Sequence, residues 1–412
     1  MKKIILFTRY YPYSYSTEAF IEQELDEVNS KYDITLLPFS RVQGQCKDVP
    51  ESIKINNSCC DSSLYFKVFV VFRILCSSIF WKSIFCKEFI TLKSLNQRLY
   101  YLKIIFGAFM IESLIKDKEI DFDEDTVFYS YWLTFAPLGF ALAKFKGLIK
   151  NKTISRTHGY EIYEKTEPSK FPHFPLRFFT YQWIDEVYAI SDKCKKILVN
   201  HYPMFTRKFK VSRLGVKNIS TVNHFNENNI CILSCSYLYD LKRVPLIYES
   251  LSNFCSLYKD ISITWYHIGS SRDDNNKAFD ELKELVSKNK HANLCVNLLG
   301  EMANLEVIDF YKTHEINVFV NLSTTEGIPV SIMEAASASV PSIATDVGST
   351  NEILNENTGC LLDVNFSQED FNEALMKIIK NYKKFSCNAQ SAFMSHYNAK
   401  TNYEQFYNEM TE

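Results

Sequence analysis

The 412-residue sequence has no excess of charge of either sign, with 46 Lys and Arg against 48 Asp and Glu. Bulk electrostatics therefore gives no reason to expect a nucleic-acid partner. Apolar runs long enough to span a membrane are missing too, because charged residues interrupt each one well before the ~20 residues a spanning helix needs. The N-terminal MKKIILFTRYYP lacks both a long apolar h-region and a small-residue cleavage site, so it reads as a first strand and not as a secretory signal. Twelve cysteines are present without metal-ligand spacing. The adjacent Cys59 and Cys60, and Cys231 and Cys235 inside an apolar run, suit reduced and mostly buried thiols in a cytoplasmic protein.

What is present is a rhythm. A chain of this length divides into about two domains. Short apolar runs (KIILF, YDITLLPF, TVFYSYW, KTISRTHG, DEVYAI) alternate with helical patterns in the first half. NICILSCS, ITWYHIGS, NLCVNLLG, INVFVNLS and PSIATDV repeat that alternation in the second. Such alternation predicts an α/β protein with two doubly wound parallel sheets. The polar stretch at 220–228 marks the boundary, giving domains 1–222 and 223–395. A final helix at 396–412 is expected to pack back across the domains through Tyr397, Tyr403, Phe406 and Tyr407. Ligands of such sheets bind outside the carboxyl ends of the strands, so the loops after Ser236, Gly269, Gly300 and Ser323 should gather round one site.

Segment 64–110 departs from this pattern, because bulky apolar residues are interleaved with seven cations (Lys67, Arg73, Lys82, Lys87, Lys93, Arg98, Lys103) and one acid, Glu88. Two readings fit. One is amphipathic helices lying in the interface of an anionic membrane; the other is core helices with a solvated basic edge.

The stretch with most chemistry is VFVNLSTTEGIPVSIMEAASASVPSIATDVGSTNEIL, at 318–354. It reads strand, loop, helix, strand, loop. Pro329 suits the first helical position, and the helix is expected to run through Ala338. Glu326 then lies in the loop and Glu334 in the helix. Free N–H groups near Gly327, Ile328, Pro329 and Val330, with Pro329 itself contributing none, favour phosphate oxygens. A diphosphate held there sets a nucleotide ribose against Glu334 and a sugar against Glu326. Gly327 lets the backbone approach the ligand closely.

These two glutamates, followed by PSIATDVG and Glu352, resemble the family 4 retaining glycosyltransferases of GT-B fold, the glycosyl transferases of group 1. The likeness extends to SRTHGYEIY at 155–163, VSRLGV at 211–216, SCSYLYDLKRV at 234–244 and WYHIGS at 265–270. The resemblance implies two Rossmann-like domains facing across a cleft, the first for the acceptor and the second for a nucleotide-diphosphate sugar. It assigns Lys242 to the donor diphosphate, Glu326 to the transferred sugar, Glu334 to the ribose and His158 to the cleft beside the reacting sugar. Asp346 and Glu352 shape the donor loop. It also implies a hexosyltransferase without metal or cofactor, acting on a lipid-linked or oligosaccharide acceptor of a capsule or lipopolysaccharide-type glycan at the inner face of the cytoplasmic membrane.

Three departures stand out. An arginine five residues before the diphosphate lysine is replaced by Tyr237, with Arg243 available to supply part of its charge. The glycine-rich turn after the first strand is replaced by PYSYSTEAF, leaving Ser14, Ser16 and Thr17 for acceptor or donor contacts. The second glycine of a Gly-Gly pair is Ser349. No carboxylate pair presents itself as nucleophile and acid, which favours same-face displacement for a retaining transfer. A nucleotide-sugar epimerase of the same fold and a non-catalytic sugar-nucleotide-binding scaffold are the alternatives.

Overall fold

Apolar runs that must be buried on both faces become parallel strands, and here they build two sheets. The computed structural model describes every residue except 15–17, 93, 164–172, 220, 222–223 and 272–275, together with the side chain of Ala19. The first sheet contains β1 (Lys3–Thr8), β2 (Asp33–Pro38), β3 (Lys54–Ile55), β4 (Val127–Ser130), β5 (Thr153–Thr157), β6 (Glu186–Ala189) and β7 (Phe209–Val211). Its order is β3-β2-β1-β4-β5-β6-β7. The second contains β8 (Asn229–Cys235), β9 (Ser262–Ile268), β10 (Leu294–Gly300), β11 (Val318–Asn321), β12 (Ser342–Thr345) and β13 (Gly359–Leu362), in the order β10-β9-β8-β11-β12-β13. Every neighbouring pair is parallel.

Both sheets therefore reverse direction once, between β1 and β4 in the first and between β8 and β11 in the second. Such reversals open a crevice at the carboxyl ends of the two strands concerned. In the second sheet β8 runs in register with β9 from Asn229↔Ser262 to Cys235↔Ile268, and Ile232 and Leu233 pair with Val318 and Phe319 of β11. Ile230, Ile232, Trp265, Val318 and Val320 supply the buried centre of that unit.

The chain forms two compact units, Met1–Leu214 with Thr401–Glu412, and Gly215–Lys400. The division comes earlier than the polar stretch at 220–228, because Val216 already pairs with Asn398. A β-carbon on Gly215 would lie 2.4 Å from the Cα of Ala399. The last helix, Ala399–Thr411, carries its aromatics into the first unit. There Phe406 lies under the Arg156 guanidinium, 4.2 Å from its ring centre. Arg156 in turn donates to Glu24 at 2.7 Å, with both side chains fully buried. Buried charges are tolerated only when paired in this way. Tyr397 belongs to the second unit, where its hydroxyl donates to the Glu352 carbonyl at 2.7 Å.

Segment 64–110 is part core and part surface. The helix Leu95–Lys116 buries Ile104, Ile105 and every residue from Gly107 to Ile115, as a core helix does. The helices Leu64–Leu75, Ser78–Ile84 and Lys87–Ile90 leave bulky apolar side chains in solvent, including Leu64 at 78%, Tyr65 at 84% and Phe72 at 63% exposure. No single described helix is long and apolar enough to cross a membrane.

Candidate active site

At the reversal of the second sheet, β8 leads into a short turn, Asp240–Lys242, and Arg243 (φ 48°) opens the helix Val244–Leu257. β11 leads into the loop carrying Glu326. The two loops are tied together: the Thr324 N–H donates to the Leu241 carbonyl at 2.8 Å, and Arg243 Nε donates to the carbonyl of Leu322. On the other side Ser349 N–H donates to the Gly327 carbonyl at 2.9 Å, and Thr345 donates to the Ser323 carbonyl. Gly348 (φ +60°) makes this approach possible, since a β-carbon there would stand 1.9 Å from the Glu326 carbonyl oxygen.

The loops bring Lys242 and Glu326 together, with Nζ donating to Oε1 at 2.6 Å. The same oxygen accepts from Asn321 Nδ2 at 3.1 Å. The Ser323 hydroxyl, 2.7 Å from that oxygen and 2.6 Å from Asn321 Oδ1, donates its one proton to either. Asn321 and Ser323 escaped the sequence reading, although both flank Glu326 in the chain.

Glu334 is buried in the helix Val330–Ser337. Burial raises its pKa to about 7, against a hydrogen bond from Asn304 that pulls it down; Asn304 Nδ2 donates to Oε1 at 2.8 Å. At the end of β8 the Cys235 thiol is pushed up to about 12, chiefly by burial, with Glu334 adding to the shift and Lys242 opposing it. The helix starts one residue later than expected. Pro329 is its cap, with ψ of 99° keeping it extended, and the helix stops at Ser337. Gly327, Ile328 and Pro329 consequently lie in the loop, and Val330 is the first helical residue.

Arg243 spends Nε and Nη1 on the carbonyls of Leu322 and Val364, while Nη2 is buried without a partner. Tyr237 donates to Glu301 at 3.0 Å. Asp346 is exposed beyond β12, and Glu352 is half-buried.

The reversal of the first sheet is occupied differently. The loop after β1 directs the N–H groups of Arg9, Tyr10 and Tyr11 at the carboxylate of Glu18, at 2.7–2.8 Å. Trp132, just past β4, adds its indole N–H at 2.6 Å. Ser14 is buried in this region, whereas Ser16 and Thr17 lie outside the described residues. Beyond β5, His158 is packed between Tyr131 and Trp132, each ring centre 4.4 Å away. Both its ring nitrogens are buried without hydrogen-bond partners; Nδ1 stands 3.8 Å from Glu161 Oε1, too far for such a bond. The fully buried Glu161 carboxylate instead fixes the backbone, accepting from the His158 N–H at 2.9 Å and from Thr157 at 3.2 Å.

Among the described residues no group of three or more His, Cys, Asp or Glu side chains is placed to hold a metal ion. A surface recess of about 610 Å³ is formed by Phe225, Glu227 and the stretch 379–387, and contains none of the residues above.

Residues 216–392 match the family model of glycosyl transferases group 1. The match covers less than half of the chain. The matched segment contains Lys242, Glu326, Glu334 and the loops that tie them. Over 105 residues, 25% of the chain, it is 34% identical to the O-antigen biosynthesis glycosyltransferase WbnH of Escherichia coli. The alignment spans 29% of that relative's length. Whole-chain likeness is seen with a glycosyltransferase from Rickettsia africae, at TM-score 0.65 and 17% identity over 99% of this chain and 98% of that one. Anabaena Alr3699/HepE gives TM-score 0.62 and 13% identity with full coverage of both chains. These structures share with this chain the two-unit α/β architecture of the GT-B fold.

Proposed function

We propose that this protein transfers a glycosyl unit from a nucleotide-diphosphate sugar to an acceptor hydroxyl with retention of configuration. The observation that carries the reading is the joining, at the reversal of the second sheet, of a lysine, a hydrogen-bonded glutamate and a helix start with a buried glutamate in its second turn. Lys242 and the helix N-terminus at Val330 take the diphosphate and stabilise the charge it gains on leaving. Glu334 accepts the ribose hydroxyls, which requires its ionised form. Glu326 is held through Oε1 by Lys242, Asn321 and Ser323, so Oε2 is the oxygen for the sugar hydroxyls. Gly327 and Ile328 line the phosphates with backbone, and Arg243 Nη2 supplies a further charge nearby.

The bond from the anomeric carbon to the diphosphate oxygen breaks. The acceptor oxygen bonds to that carbon from the same face, and its proton passes to the departing phosphate oxygen. No divalent cation is required in this scheme, because Lys242 and the helix N-terminus supply the positive potential. The resemblance assigns His158 to the reacting sugar and the first unit to the acceptor, and both ring nitrogens of His158 are without hydrogen-bond partners. The E. coli relative is an O-antigen biosynthesis glycosyltransferase, which supports a surface-glycan acceptor, lipid-linked in a lipopolysaccharide or capsule setting; the Anabaena protein binds UDP and glucose, which supports a UDP-hexose donor.

The test is thermal stabilisation by a panel of UDP, GDP and ADP sugars in EDTA, followed by product analysis. A ligand at about 100 times its Kd stabilises by ~2.7 kcal/mol. A shift for one sugar, lost in Glu334→Ala and accompanied by glycosylated product, is expected. A shift with an isomerised sugar and no transfer points to an epimerase. Binding without any turnover leaves a scaffold.

A further inference from the structure

The helix Leu64–Leu75 is inside out. Its one charged residue on the protein side, Arg73, forms a two-pronged pair with the fully buried Glu112, both contacts at 2.8 Å, and also donates to Ser113. Val70 and Ile74 are buried on the same side. The opposite face consists of Leu64, Tyr65, Val68, Phe69, Phe72 and Leu75, all exposed. A soluble surface helix has the reverse arrangement, and a contiguous apolar face of this kind marks an interaction surface. The next helix, turned by 73°, extends the surface with Trp81 and Phe85.

We propose that this face docks on an anionic lipid bilayer, with Leu64–Leu75 lying in the plane of the interface. Charge selects this occupant. Lys82, Lys87, Arg98 and Lys103 are exposed around the apolar residues, and Lys67 is half-exposed, against the single acid Glu88. The segment is strongly basic in a chain whose net charge is −2. Cations that flank an apolar face meet lipid phosphates as that face sinks below the headgroups. A second copy of the same surface would set these cations against one another. An in-plane pose suits the anchor, since Arg73 ties the helix to Glu112 of its unit, and its twelve residues cover only ~18 Å, short of a bilayer core.

The proposal is independent of the donor reading, and the intact protein tests it without a sugar substrate. Flotation with vesicles of phosphatidylcholine and phosphatidylglycerol, compared with phosphatidylcholine alone, should show binding to the anionic vesicles that weakens with added salt. Phe69→Ser with Phe72→Ser should reduce that binding at least tenfold, and Lys82→Gln with Lys103→Gln several-fold. Both variants should keep the far-UV spectrum of the parent. Parent protein that ignores anionic vesicles, or binds neutral ones equally well, overturns the proposal. So does an unchanged Phe69/Phe72 variant, or a concentration-dependent dimer of the parent that this variant dissolves.

Discussion

The two sheet reversals share a strand order and differ in what meets the backbone there. After β1, three successive N–H groups and an indole converge on a carboxylate that the chain itself supplies, Glu18. After β8 and β11, a lysine is brought to a glutamate, and a helix begins beside them. A cluster of N–H groups attracts whichever anion is at hand. An internal glutamate makes such a cluster part of the framework, while on the proposed reading the Lys242–Glu326 pair at the other reversal opens to take a substrate.

Four experiments break or sharpen that contrast. The largest effect belongs to Lys242→Ala. Losing one preorganised contact to a developing charge costs about 10²–10³ in turnover, with folding unchanged; activity within threefold of the parent would separate Lys242 from the chemistry. Glu18→Ala should act on stability instead. Four donors lose a charged acceptor, for about 3 kcal/mol in urea unfolding, and added sulfate, which stabilises folded proteins generally, should stabilise the variant more than the parent.

Glu334→Gln comes next. The carboxyl has a folded pKa of about 7, above the ~4.3 of an unfolded glutamate. Its contribution to stability is therefore complete below the unfolded value and is lost as pH rises through the folded one. The glutamine cannot ionise, so the unliganded variant should be more stable than the parent by about 3 kcal/mol near pH 8 and almost equal near pH 4. Donor affinity of the parent should rise over the window in which Glu334 ionises, and that of the variant should stay flat. The smallest effect is expected of Tyr237→Phe, which removes one exposed hydrogen bond to Glu301 and should change stability by less than ~1 kcal/mol.

Much of this architecture is legible in the sequence, because buried parallel strands are read from unbroken apolar runs such as NICILSCS and ITWYHIGS. The placement of Glu326 in a loop and Glu334 in the following helix follows from the local pattern alone. Other features depend on distance along the chain. Asn304 meets Glu334 across thirty residues of sequence, and no spacing rule links them. Arg243 follows Lys242 directly and reads as a second cation for the diphosphate, yet two of its nitrogens hold carbonyls of distant loops. Glu18 gives no signal, since a cluster of backbone N–H groups depends on φ and ψ and not on side-chain identity. The helix Val330–Ser337 was displaced by one residue because proline fixes φ and leaves ψ free to stay extended.

The return of residues 401–412 to the first unit has a consequence for synthesis. A chain emerging from the ribosome can complete the second unit while the first still lacks Tyr403, Phe406 and Tyr407, the aromatic floor beneath the Arg156–Glu24 pair. Domains ordinarily mature in the order they are made. Here the first to be translated is the last to be finished.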